Sequence, residues 1–255
     1  MPDVQSAADV ASVDLKDLVL SNTTFGPNEV VQIRAAIAKD YSHFGELRDA
    51  VAQIEQESTR SPALQAKLGV CQFMLGRFSD ALQTLKTADG GALALFYQAK
   101  CHFELGAYED SVTAFEAARK SGYDGDQCSL GIAQSKRYAG QLSDAMAILD
   151  NMFGPIEQTA DYLYQRGATV AAIGGNLPET IALYERAIAA DAAHAGALFG
   201  LALENDRHGN DREALALYQR AAAAFPTGIG ALINLWLAFE DAGQFEKAQR
   251  CYRRI

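Results

Sequence analysis

The sequence predicts an all-α protein, a right-handed superhelical solenoid of about seven antiparallel helix-turn-helix units, and three observations predict it. The chain of 255 residues is 49% apolar but only 9% aromatic, a balance that leans on alanine and favours helices over the aromatic and β-branched runs of sheets. A glycine-centred tetrad recurs along the chain at a period of 30 to 35 residues, the range in which repeat architectures lie. Each such glycine is followed at fixed offsets by a small, a large and usually another small residue, which lie on one face of a helix.

The tetrads are Phe44-Gly45-Glu46-Leu47, Leu75-Gly76-Arg77-Phe78, Leu105-Gly106-Ala107-Tyr108, Ala139-Gly140-Gln141-Leu142, Gly174-Gly175-Asn176-Leu177, His208-Gly209-Asn210-Asp211 and Ala242-Gly243-Gln244-Phe245. Aligned on the second residue, their spacings are 31, 30, 34, 35, 34 and 34. Five residues after the glycine stand Ala50, Ala81, Ser111, Ala145, Thr180, Ala214 and Ala248, and four later Ile54, Leu85, Phe115, Leu149, Tyr184, Tyr218 and Tyr252. Three further on come Glu57, Ala88, Ala118, Met152, Ala187, Ala221 and Ile255. The small residue lets two helices approach, the large one fills the space beside it, and the glycine ends the preceding helix by taking a left-handed conformation.

Taken in order, residues 1–30 precede the periodic part, and Val13 to Leu20 reads as a short amphipathic helix before a loop from Ser21 to Asn28, a candidate cap on the first unit. Units then start near residues 31, 62, 92, 126, 161, 195 and 229. Each opens with a helix upstream of its glycine, as in Leu198, Leu201 and Ala202 before Gly209, or Leu232, Leu235, Trp236 and Phe239 before Gly243. The fourth unit has the weakest signal: its first helix runs from Gln127 to Tyr138, Ser129 stands where a large side chain is expected, and the flexible Ser121-Gly122-Tyr123-Asp124-Gly125 precedes it. The seventh reaches Ile255 inside its second helix, so a truncated last unit and a fragment of a longer chain are expected.

This pattern resembles the tetratricopeptide repeat, most fully in Ala195 to Pro226, where Leu198, Leu201, Ala202, Gly209, Ala214, Tyr218, Ala221 and Pro226 stand at family positions while Asn205 and Asp211 replace aromatics. The resemblance covers about residues 31–255. It implies a non-catalytic scaffold that binds a protein or peptide in a concave groove lined by first helices. The family's groove positions fall on Phe96, Lys100, Phe103, Arg137, Tyr138, Tyr162, Gln165, Phe199, Leu203 and Arg207. Rings beside Lys and Arg suit an extended peptide or a partner helix. The subclass that grips C-terminal carboxylates uses Lys and Asn where this chain has Ala35, Ala66 and Phe96, then Lys39, Val70 and Lys100, so that clamp is not expected.

Three strings, Gly90 to Lys100, Asp161 to Gly175 and His194 to Gly209, are similar to bacterial proteins in which such an array precedes a domain like the C-terminal domain of the RNA polymerase α subunit. That resemblance implies a transcription-associated protein whose array is the partner-binding arm, with RNA polymerase as a possible partner.

The remaining features narrow the function classes. With 22 Lys+Arg against 32 Asp+Glu, a net charge of -10 repels a phosphate backbone, which disfavours direct nucleic-acid contact. Met1 to Ser6 lacks the basic and apolar regions of a secretory signal, and no stretch is long and apolar enough for a membrane span, which places the chain in the cytoplasm. Cys71, Cys101, Cys128 and Cys251 form no C-x-x-C pair and read as apolar filler. The phosphate-loop, dinucleotide, zinc-protease and serine-hydrolase motifs are all missing, so no enzyme activity and no cofactor is expected. A metal-dependent protein is the remaining alternative, resting on Cys101, His102 and Glu104 alone.

Overall fold

The computed structural model describes residues 14–21, 24–88 and 91–254. Met1 to Val13, Asn22, Thr23, Asp89, Gly90 and Ile255 lie outside the described residues, and with them the start of the first expected helix, the reading of the N-terminus, one end of the Gly90 string and the expected break at Ile255. Among the described residues the regular elements are all helical. After α1 (Leu15–Leu20) the helices follow in pairs: α2 (Pro27–Lys39) with α3 (Ser42–Glu55), α4 (Pro62–Met74) with α5 (Phe78–Lys86), α6 (Ala92–Glu104) with α7 (Tyr108–Lys120), and α8 (Gly125–Tyr138) with α9 (Leu142–Asp150). A 3-10 turn at Pro155–Gln158 leads into α10 (Ala160–Ile173) with α11 (Leu177–Ala190), α12 (Ala195–Arg207) with α13 (Asp211–Ala224), and α14 (Ile229–Asp241) with α15 (Phe245–Tyr252).

The turns within the pairs share one device. Gly76, Gly106, Gly140, Gly174, Gly209 and Gly243 all hold φ between 68° and 78°, a region that costs a side chain about 1 kcal/mol or more and glycine almost nothing. The next residue in each case donates its N–H five residues back, as Arg77 does to the Gln72 carbonyl at 3.0 Å and Gln244 to Phe239 at 2.8 Å. This closure satisfies carbonyls that the helix end would leave unpaired. Two expectations need correction. Gly45 lies inside α3, so the first pair turns earlier, at Asp40 and Tyr41. In the fifth unit the left-handed residue is Gly174 and not Gly175, directly after the last residue of α10, while the turn keeps the three residues of the other pairs after the first.

The small-large face packs as its spacing requires. Ala50, Ala81, Ser111, Ala145, Thr180, Ala214 and Ala248 are all buried, as are Ile54, Leu85, Phe115, Leu149, Tyr184 and Tyr218. Tyr252 departs from the rule at 62% exposed, since only Trp236, 5.6 Å away between centroids, meets its ring. Two large residues enter the next pair at a glycine: Phe115 fills the space a Cβ on Gly131 would need, and Tyr184 does the same at Gly200. In the fourth pair Asp124 caps α8 by accepting from the Gln127 N–H at 2.8 Å, which starts the helix at Gly125, two residues before the expected Gln127. Cys128 and Leu130 are buried on either side of Ser129, supplying the apolar face that Ser129 lacks.

Successive pairs are also braced by arginine. Arg186 donates to Gln158, Arg220 to the Ala192 carbonyl and Arg254 to the Pro226 carbonyl, each reaching back 28 residues to the preceding inter-pair loop. α1 packs beneath α3 with Leu15 and Val19 fully covered, and Lys67 donates to the Val19 carbonyl at 3.0 Å.

The solenoid curls until its ends meet. α2 packs on α13, the Arg254 guanidinium lies 4.9 Å over the Tyr41 ring, and Thr227 approaches Gly76 closely enough to touch a Cβ placed there at 3.3 Å. This contact turns the array into a closed ring with a seam between α2 and the last two pairs.

Candidate protein-binding groove

The first helices place Lys100 of α6, Arg137 and Tyr138 of α8, and Gln165 of α10 in neighbouring units. The Lys100 ammonium sits 5.5, 5.7 and 5.8 Å from the ring centroids of Phe73, Phe96 and Tyr97 and forms no ion pair among the described residues. Burial first and Arg34 second pull its pKa down to about 8, against the opposing charges of Asp161 and Glu104. One turn along α6, burial pushes the Glu104 carboxyl up. A cation held in a box of rings without a direct ion pair suits an incoming anion, because part of its desolvation is complete before the partner arrives.

Arg137 donates to Gln165 Oε1 at 3.2 Å and lies 4.8 Å over the Tyr138 ring, while its Nε is buried without an acceptor. Tyr138 is half exposed and meets Phe103 edge-on at 4.9 Å, with Tyr108 completing the cluster 5.7 Å from Phe103. Arg207 is exposed and pairs with Glu204 at 2.7 Å.

Other groove positions are taken up by packing. Phe96 is only 7% exposed, stacked at 4.0 Å on Tyr123, and offers a partner little more than its role in the Lys100 box. Tyr162 is covered and donates its hydroxyl to the Leu149 carbonyl at 3.3 Å. Gln165 is buried apart from its bond to Arg137. Phe199 and Leu203 pack half-buried on the last core cluster, Phe199 against Tyr218 and above Gly230. The accessible set is therefore Lys100, Phe103, Arg137, Tyr138 and Arg207.

Several residues missed by the sequence reading join the same region. His194 caps α12 by accepting from the Ala197 N–H on Nδ1 at 3.0 Å, which leaves Nε2 to donate to Asp161, also at 3.0 Å. The hydrogen bond from His194 holds Asp161 down to about 2, and Gln127 adds a weaker bond at 3.4 Å. Gln127, Asp161 and His194 stand 34 and 33 residues apart, so the repeat spacing itself was the signal for this bridge across three units. Tyr164 lies 5.1 Å from His194 between centroids, and burial raises its phenol.

The Cys101, His102 and Glu104 triplet does not converge. Cys101 is fully buried with its thiol pushed up to about 12, and His102 faces Asp110 at 4.0 Å. Among the described residues no group of three His, Cys, Asp or Glu is placed to hold a metal ion, and no helix is long and apolar enough to cross a membrane.

The tetratricopeptide repeat family model matches residues 83–125 and 168–229. Among solved structures, a thermophilic tetratricopeptide protein of Thermus thermophilus is 21% identical over 70% of this chain and 99% of its own, with a TM-score of 0.55. Human IFIT1, solved as a dimer with m7Gppp-AAAA, is 13% identical over 87% of this chain and 58% of its own, at 0.59. The APC/C hetero-tetramer Cut9-Hcn1 gives 10% identity, 92% and 47% coverage, and 0.60. No curated protein matches the sequence. Residues 83–125 and 168–229 thus carry tetratricopeptide repeats, and in fold the chain is a tetratricopeptide solenoid.

Proposed function

We propose that the chain is a non-catalytic scaffold whose groove, at Lys100, Phe103, Arg137, Tyr138 and Arg207, takes an acidic segment of a partner protein. The observation that carries this reading is the Lys100 ammonium, partly exposed among three rings and without an ion pair among the described residues. Arg137 supports it, since its buried Nε has no acceptor of its own. An acidic side chain reaching both cations pairs charges that the fold has already drawn partly out of water.

The test is an affinity pull-down from a bacterial lysate with the 255-residue chain as bait, repeated with Lys100→Glu and Arg137→Glu. A partner retained by the native bait and lost by the charge-reversed one, with helicity unchanged by circular dichroism, is the expected result. Equal retention by both baits removes the groove from the reading. The finer version, a cytoplasmic bacterial protein acting beside RNA polymerase, is supported by the Asp161 to Gly175 and His194 to Gly209 strings and by the Gly90 to Lys100 string. Polymerase subunits among the groove-dependent partners are its expected signature, and their absence at low salt counts against it.

A further inference from the structure

The seam where the ring closes holds an open pocket of about 400 Å³, within the range of small-molecule sites. Its floor is apolar, built by Ile37 of α2, Ala222 of α13, and Leu235 and Phe239 of α14. Its rim carries four cations, Lys39 from one end of the chain and Lys247, Arg250 and Arg254 from the other. Gln219 and Tyr41 are the neutral polar groups in the lining, and no Asp or Glu lines the pocket.

That combination is unusual in a chain of net charge -10. Lys247 reaches only Gln244, at 2.7 Å, and the Phe239 ring, at 5.5 Å. Arg254 donates to the Ala222 and Pro226 carbonyls at 3.3 and 3.5 Å and covers Tyr41. None of the four rim cations is ion-paired with a carboxylate among the described residues. Four cations around one pocket with no acidic side chain in its lining make the site complementary to an anion.

We infer that the seam pocket binds an anionic single-chain amphiphile, its hydrocarbon on Ile37, Ala222, Leu235 and Phe239 and its charged head among Lys39, Lys247, Arg250 and Arg254. A peptide fits this floor poorly, because its backbone amides would meet side chains that offer almost no hydrogen-bond partner. A hydrocarbon chain asks for none, and a carboxylate or phosphate head accepts several charge-assisted bonds from the rim. The site is separate from the groove at Lys100 and does not depend on the reading given for it. Since both ends of the chain contribute, the bound amphiphile also ties α2 to α14 and α15.

Calorimetric titration of the 255-residue chain with dodecanoate and dodecyl phosphate, each kept below its micelle concentration, tests the inference. One molecule bound per chain by at least one of them is expected, and the tighter of the two identifies the head. Lys247→Gln with Arg250→Gln, both exposed positions, should weaken binding at least tenfold, and Ala223→Trp, filling the pocket from its exposed edge, should abolish it. Dodecanol binding as tightly as the anions overturns the role of the rim. Binding untouched by Ala223→Trp places the amphiphile elsewhere, and no saturable binding of either anion removes the site. An Asp- and Leu-rich peptide that binds in an Ala223→Trp-sensitive way, where the amphiphiles do not, replaces the ligand by a protein segment.

Discussion

Replacing Lys100 by methionine separates what its charge costs the fold from what it offers a partner. Methionine keeps the length and the contact with the Phe73, Phe96 and Tyr97 rings while removing the ammonium. A pKa held at about 8 against 10.5 corresponds to about 3 kcal/mol against the charged form in the folded protein. That shift is net of the attraction to the rings, so Lys100→Met should stabilise the protein by up to about 3 kcal/mol at pH 7. The pH dependence follows from proton counting. Below pH 8 the lysine is protonated in both states and its cost is constant. Between about 8 and 10.5 the unfolded chain keeps a proton that the folded chain has released, so the native protein gains stability as pH rises. The advantage of the methionine variant should therefore shrink across that window and vanish at its upper end. Urea unfolding followed by circular dichroism at pH 7, 9 and 10.5 measures it, and partner retention by the same variant should fall although its fold is firmer. A native protein whose stability is flat from pH 8 to 10.5, or a methionine variant weaker at pH 7, refutes the reasoning.

Gly131→Ala and Gly45→Ala make the same chemical change inside two helices with opposite expected signs. Nothing lies within 4 Å of a Cβ at Gly45, so alanine should gain up to about 1 kcal/mol there, whereas at Gly131 it meets the buried Phe115 ring and should lose about 1–2 kcal/mol net of that gain; equal denaturation midpoints would contradict the packing. Ala214→Leu should cost about 1–3 kcal/mol, with hydrogen exchange rising in α12 to α15 more than in α5 to α8, which lie away from both α13 and the seam, because neighbour interfaces carry a solenoid. Asp161→Asn should flatten the stability profile between about pH 4 and pH 2, since a carboxyl held down to about 2 contributes stability above its unfolded value and loses it as pH falls through the folded one. The thiols of Cys71, Cys101 and Cys128, pushed up by burial to about 12, 12 and 11, should resist a thiol reagent at pH 8 until denaturant is added.

The helix pairs were legible because their punctuation is chemically forced. A residue at φ near 77° is glycine for a steric reason, and a helix that closes on its neighbour needs Ala81 or Ala214 where contact is tightest. Gly45 misled because a glycine in a first turn leaves the same letter as one that ends a helix. The groove was legible only as a set of positions. Whether Phe96 faces a ligand depends on Tyr123, which arrives from an inter-pair loop that carries no periodic signal. The seam had no signal at all, since Tyr41 meets Arg254 only through the rotation accumulated over every pair between them.

That meeting has an arithmetic consequence. In an open array a unit can be duplicated or lost and every surviving interface is kept, so the number of units drifts freely over generations. A ring that shuts on itself counts. Inserting or excising one 34-residue module would carry Arg254 past Tyr41 and Thr227 away from Gly76, dismantling a contact that no neighbouring pair can rebuild. The closure fixes how many modules can lie between the two faces of the seam, while each module remains, taken singly, interchangeable.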